Sequence, residues 1–116
     1  MTLTQGLRGA CACLVVALFG VHPALAHAKD PMLLYRARCA ACHGDDGKAQ
    51  TAVGKEAKAA DFTTAAFQKA RTDDALRKSI LEGRPGTKML GFAGKLSPDE
   101  LESLIKVIRG FGRGAR

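Results

Sequence analysis

Apolar and polar positions follow a helical period in several separate stretches of the chain, most clearly near its C-terminal end. Leu101, Leu104, Ile105 and Ile108 stand at i, i+3, i+4 and i+7, an amphipathic stripe. Ser97-Pro98-Asp99-Glu100 opens that helix, with Ser97 as N-cap, Pro98 at the first helical position and Glu100 placed to close a capping box. Residues 110–116 read as a frayed basic tail. Leu76, Ile80 and Leu81 predict a second helix from near Thr72, with Asp73 and Asp74 in its first turn, Arg77 and Lys78 outward and Gly83 as its stop. Thr64 precedes a shorter helix reaching about Ala70, with Phe62 and Phe67 turned inward. Asp30 and Pro31 begin a helix read to about Ala41, whose Leu34 and Tyr35 are available to the last helix while Arg36 and Arg38 face solvent. Residues 44–58, rich in glycine and charge and without a clean period, read as a loop, as do residues 83–94. No strand or βαβ pattern is visible. The fold class is all-α, with three to four helices and long loops.

The N-terminal stretch has a different pattern. Arg8 precedes an apolar run over residues 10–21, and Ala24-Leu25-Ala26 follows, the layout of a secretory signal peptide. Gly20 and Pro23 break the run, which is too short for a membrane span. Cleavage after Ala26 is expected, with Ala28 marking a second site. That divides the chain into a leader, 1–26, and one domain, 27–116, ending in the basic tail. Cys11 and Cys13 would leave with the leader, and no stable membrane span would remain. Export predicts the periplasm, where free thiols oxidise.

Composition sharpens the problem such a small domain faces. With no Trp, one Tyr and five Phe in 116 residues, the chain has little aromatic mass for a core and needs a staple. The formal charge of +7 points to acidic protein surfaces, and no feature points to nucleic acid.

Cys39-Ala40-Ala41-Cys42-His43 supplies the staple. On a helix both sulfurs and the imidazole leave the same face, so one flat ring can meet all three. A dithiol redox motif would want a strand feeding it, a structural zinc site would want a second ligand pair, and a disulfide would leave His43 without a purpose. Cys-x-x-Cys-His is instead the attachment motif of a c-type haem. Cys39 and Cys42 are expected to hold one haem c as thioethers, with His43 as the proximal iron ligand. The loop over residues 83–94 carries a single methionine, Met89, which is expected as the second axial ligand. Met32 lies two turns before Cys39 on the same helix, and His27 lies at a ragged new N-terminus. Asp45-Asp46-Gly47 lacks the spacing of a calcium loop and reads as a solvated turn. A carbonyl in residues 44–58 is expected to accept from the His43 Nδ1–H.

On these residues the chain resembles the class I c-type cytochromes. The resemblance covers about residues 30–111 and rests on Leu34-Tyr35 before the first cysteine, Cys39/Cys42/His43, Gly86-Thr87-Lys88-Met89 and the Leu96-Ser97-Pro98-Asp99-Glu100 helix start. It implies a small cytochrome c-like fold around one covalently attached haem, His43 and Met89 as iron ligands, and one-electron transfer between periplasmic or membrane-bound partners, with no enzymatic activity of its own. Two departures stand out. Pro31 and Val107 replace a glycine and an aromatic residue at the contact of first and last helices, so Tyr35 is expected to rest on aliphatic neighbours. No proline follows the haem motif closely to orient His43. Lys88 and Lys95 flank the Met89 loop and suggest a basic rim for an acidic dehydrogenase donor or oxidase or reductase acceptor. Two other readings stay open: a haem c subunit of a larger oxidoreductase, and a haem protein in which a small molecule displaces Met89.

Overall fold

The computed structural model describes residues 30–114, so the expected leader, its cleavage site and His27 lie outside the described residues. Six helical segments follow one another, and among the described residues none is long and apolar enough to cross a membrane. α1 (Pro31–Arg38) starts where its capping residues require, the Asp30 carboxylate accepting from Met32 N at 2.9 Å. The helix does not run to Ala41. At Cys39 the backbone leaves helical geometry (φ −124°, ψ −35°), and α2 (Ala40–His43) resumes the turn that carries the second cysteine and the histidine.

α3 (Ala52–Ala57) lies where a loop was expected. It has only six residues and no apolar stripe, so no period betrays it. It is held by its cap, Thr51 Oγ1 accepting from Gly54 N at 2.9 Å, and by contact with α2. α4 (Ala65–Ala70) and α5 (Asp73–Glu82) follow their predicted bounds, capped by Thr64 and Thr72. α6 (Pro98–Arg113) opens with both bonds of the capping box, Ser97 Oγ accepting from Glu100 N at 3.1 Å and Glu100 Oε2 accepting from Ser97 N at 2.9 Å.

α6 also continues to Arg113, into the residues read as a frayed tail. Gly110 and Gly112 each weaken a helix by about 1 kcal/mol relative to alanine. The half-buried ring of Phe111, seated against Tyr35 with centroids 5.1 Å apart, contributes a part of the ~3 kcal/mol that full burial would give and offsets some of the glycines' cost. Arg109 on the same turns donates to Asp73 and to the Gln68 and Arg71 carbonyls at the end of α4. Arg77, read as outward, instead ties α5 to α6 through a two-point bond to the Glu102 carboxylate (2.5 and 2.8 Å).

The core forms where α1 and α5 pack on α6: Tyr35 and Leu104 are fully buried, with Leu76, Ile80, Leu101, Ile105 and Ile108 around them. Tyr35 does not rest on aliphatic neighbours alone, because Phe111 covers it. Its hydroxyl donates to the Gly44 carbonyl at 2.7 Å, so the first helix is bonded to the residue that ends α2. Burial, reinforced by Cys39, holds that phenol well above its usual pKa.

Candidate haem site

A cavity of about 530 Å³ opens between α2, α5 and the segment after α5, and all four residues singled out from the sequence line it: Cys39, Cys42, His43 and Met89. Sequence distance gives no reason for Met89 to stand there. The chain brings it back by an isolated antiparallel bridge between Gly83 and Leu90, with Arg84 N donating to Met89 O at 3.0 Å, while Phe92 N and Ala93 N donate to Ile80 O and Leu81 O. Gly83 holds φ +74°, and a side chain there or at Gly91 would collide with backbone atoms of this strap or of α5.

Cys39 and Cys42 are not joined to each other. Burial, partly opposed by Arg38, pushes the Cys39 thiol up to about 11. A redox dithiol works through a lowered thiol pKa, so this environment argues against that chemistry.

The imidazole of His43 is held on two sides. Its Nδ1 lies 3.0 Å from the Ala60 carbonyl, and with the proton on Nδ1 the lone pair is left on Nε2. The Phe62 ring stacks on it, centroids 4.2 Å apart and planes at 18°. Burial lowers the His43 pKa and the bond to Ala60 partly restores it, so the neutral, ligand-competent form is favoured. The accepting carbonyl was expected within residues 44–58. It lies two residues beyond, because Phe62 N bonds to Gly47 O at 2.8 Å and folds residues 60–62 back beneath the histidine.

Gly54 was also invisible as a site residue. A Cβ there would stand 2.0 Å from the Cys42 carbonyl oxygen, and Thr51 Oγ1 donates to Ala41 O at 2.7 Å, so α3 presses directly on the cysteine-bearing turn. Arg38, Lys58, Arg71, Arg84 and Lys88 line the cavity, and no carboxylate among the described residues does. Lys88 belongs to this rim and pairs with Glu56 on α3; Lys95 does not reach the cavity.

Comparison with known proteins decides what occupies such a cavity. The family model described as cytochrome c oxidase, cbb3-type, subunit III matches residues 26–106. The chain belongs to that family. A curated relative, the cbb3-type cytochrome c oxidase subunit FixPc of Rhizobium leguminosarum bv. viciae, is 34% identical over 76 residues, 66% of this chain. The chain spans about a quarter (25%) of that relative's length. Among solved structures, KustC0563 c-type cytochrome matches with a TM-score of 0.65 and 39% identity, covering 71% of this chain and 96% of its own. A mutant of the same cytochrome matches with a TM-score of 0.64 and 38% identity, over 71% and 98% of the two chains.

The protein is therefore a class I-like c-type cytochrome of all-α fold, and its cofactor is covalently bound haem c with its iron. The cavity suits that group on its own chemistry. It offers two unpaired thiols, a neutral imidazole and a thioether in an otherwise apolar enclosure, and a rim of cations that complements two propionates.

Proposed function

We propose that this cytochrome carries single electrons, with Cys39 and Cys42 as the thioether attachment points and His43 and Met89 as the axial ligands. One observation carries the reading: four residues from two distant segments of sequence, two of them sulfur nucleophiles and two of them soft or borderline iron ligands, line one cavity. The haem supplies the one-electron couple. The chain's own residues do the rest. Ala60 fixes the His43 tautomer, the strap bonded to α5 holds Met89 in place, and the core residues Leu76 and Ile80 keep water from the enclosure. A thioether raises the reduction potential relative to nitrogen ligation, which suits an acceptor of electrons from a dehydrogenase.

Carrier behaviour requires that no position on the iron be open to substrate, so the cytochrome has no enzymatic turnover of its own. Carbon monoxide added to the reduced protein tests this. Slow or absent binding is expected; immediate, complete binding would favour the reading in which a small molecule displaces Met89.

The leader-like residues 1–26 support export, cleavage after Ala26 and a periplasmic home. N-terminal sequencing of exported protein should begin at His27, and a chain still beginning at Met1 would contradict it. A second reading is favoured by the names of the family and of FixPc: the cytochrome serves as the haem c subunit of a cbb3-type oxidase. Co-purification with oxidase subunits at endogenous levels separates that from a free shuttle. In either setting the basic rim meets an acidic partner surface, and the transfer rate should fall as salt rises.

A further inference from the structure

Residues 60–62 touch His43 twice, and only one of the contacts is a hydrogen bond. The Ala60 carbonyl fixes the direction of the Nδ1–H. A single hydrogen bond leaves the ring free to rock about the axis that it defines, because carbonyl oxygens accept over a broad range of angles. The second contact removes that freedom: the Phe62 ring lies nearly parallel to the imidazole, 4.2 Å away.

Phe62 is itself held through its backbone and packed against two further rings. Its N–H donates to Gly47 O at 2.8 Å and its carbonyl accepts from Gln68 Nε2 at 2.7 Å. Asp61, between the two contacts, is locked by bonds from Thr63 N and Oγ1 at 2.8 and 2.6 Å. Phe67 lies against the Phe62 ring at 5.1 Å, and Phe111 of α6 stands at 6.4 Å with planes at 25°. Phe111 in turn sits over Gly47, where a Cβ would come within 2.7 Å of its ring. A residue needed only to fill space requires no such backing.

We propose that Phe62 is a positioning residue for His43, its ring holding the imidazole plane in one orientation about the bond to iron. This rests on His43 being an axial ligand. The plane of an axial imidazole sets how the iron d orbitals that share its π density split, so a fixed plane gives one sharply defined ferric state and a rocking plane gives a spread of states.

The test uses the haem-loaded protein. Phe62→Leu should retain its haem and its nitrogen ligation, while the principal g values of the ferric low-spin electron paramagnetic resonance spectrum shift and broaden. Phe67→Leu removes only part of the backing behind Phe62 and leaves the stacked ring in place, so it should move the g values by less than Phe62→Leu does. Phe62→Tyr, which keeps an aromatic plane, should restore the unsubstituted spectrum. Unshifted g values in Phe62→Leu, or an equal shift in Phe67→Leu, would overturn the proposal. Should Phe62→Leu fail to mature, the unsubstituted ferrous protein still decides: nuclear Overhauser contacts between the His43 and Phe62 rings are expected, and their absence overturns it. A native spectrum without histidine nitrogen at the iron would overturn the ligand reading as well, whereas native histidine ligation with an indifferent Phe62→Leu overturns this inference alone.

Discussion

Gly54→Ala tests how tightly α3 is pressed on the cysteine-bearing turn, because two effects of opposite sign meet there. Inside a helix, alanine is favoured over glycine by about 1 kcal/mol, so propensity alone predicts stabilisation. The added Cβ would lie 2.0 Å from the Cys42 carbonyl oxygen, and reaching ordinary contact near 3.5 Å requires α3 to withdraw by about 1.5 Å. That motion breaks the one hydrogen bond that the Thr51 hydroxyl donates, made chiefly to the Ala41 carbonyl (2.7 Å) and shared with the Cys42 carbonyl (3.3 Å), which contributes about 0.5–1.5 kcal/mol. Overpacking without withdrawal costs about 1–3 kcal/mol. Either path offsets the propensity gain, and a 2.0 Å approach to backbone, which cannot move aside as a side chain can, places the cost at the upper end, for a net loss of up to about 2 kcal/mol. Gly110, inside α6, is the control: a Cβ there meets only the Arg113 guanidinium at 3.9 Å, so Gly110→Ala should gain up to about 1 kcal/mol. Guanidinium denaturation of both haem-loaded variants, followed by far-ultraviolet circular dichroism, reads the midpoints at unchanged slope. A Gly54→Ala midpoint at or above that of the unsubstituted protein, or both variants moving in the same direction, would refute the reasoning.

Met89→Ala should abolish the weak sulfur-to-iron absorption near the red end of the oxidised spectrum while the covalent haem remains; an unchanged spectrum rejects Met89 as ligand. Tyr35→Phe removes the hydroxyl that donates to Gly44 O, yet that carbonyl still accepts from Gly47 N at 3.1 Å, so the loss should stay near 1 kcal/mol and show as a small drop in the denaturation midpoint. A loss above about 3 kcal/mol would mean the carbonyl had been stranded. Arg77 holds the Glu102 carboxyl below the usual carboxylate range through its hydrogen bonds, so that group's contribution to stability is present above the usual range and disappears as pH falls through the lowered pKa. Glu102→Gln should flatten that acid limb of the stability profile, and an unaltered limb in a pH series of denaturation midpoints would count against the pairing.

The parts of this molecule that could be read from the sequence are those whose information is local. Ser97 and Glu100 announce α6, Asp30 and Thr72 announce α1 and α5, and Cys39-Ala40-Ala41-Cys42-His43 announces the cofactor. What stayed hidden depends on contacts between distant segments. α3 has no stripe, because it is held by a glycine against a neighbouring backbone and not by apolar side chains. Phe111 looked frayed between two glycines until Tyr35 and Gly47 were seen beneath it. The carbonyl that orients His43 belongs to Ala60, whose side chain plays no part in the bond, so no choice of residue type marks it. Met89 was legible only as the one methionine in a flexible stretch; its place in the cavity follows from the bridge between Gly83 and Leu90.

Mass spectrometry of the exported protein under denaturing conditions, with tryptic mapping, tests the attachment most directly. The polypeptide should be heavier by one haem, and the added mass should map to the peptide containing Cys39 and Cys42. A chain of bare polypeptide mass, its pigment released by acid and acetone, would contradict the account.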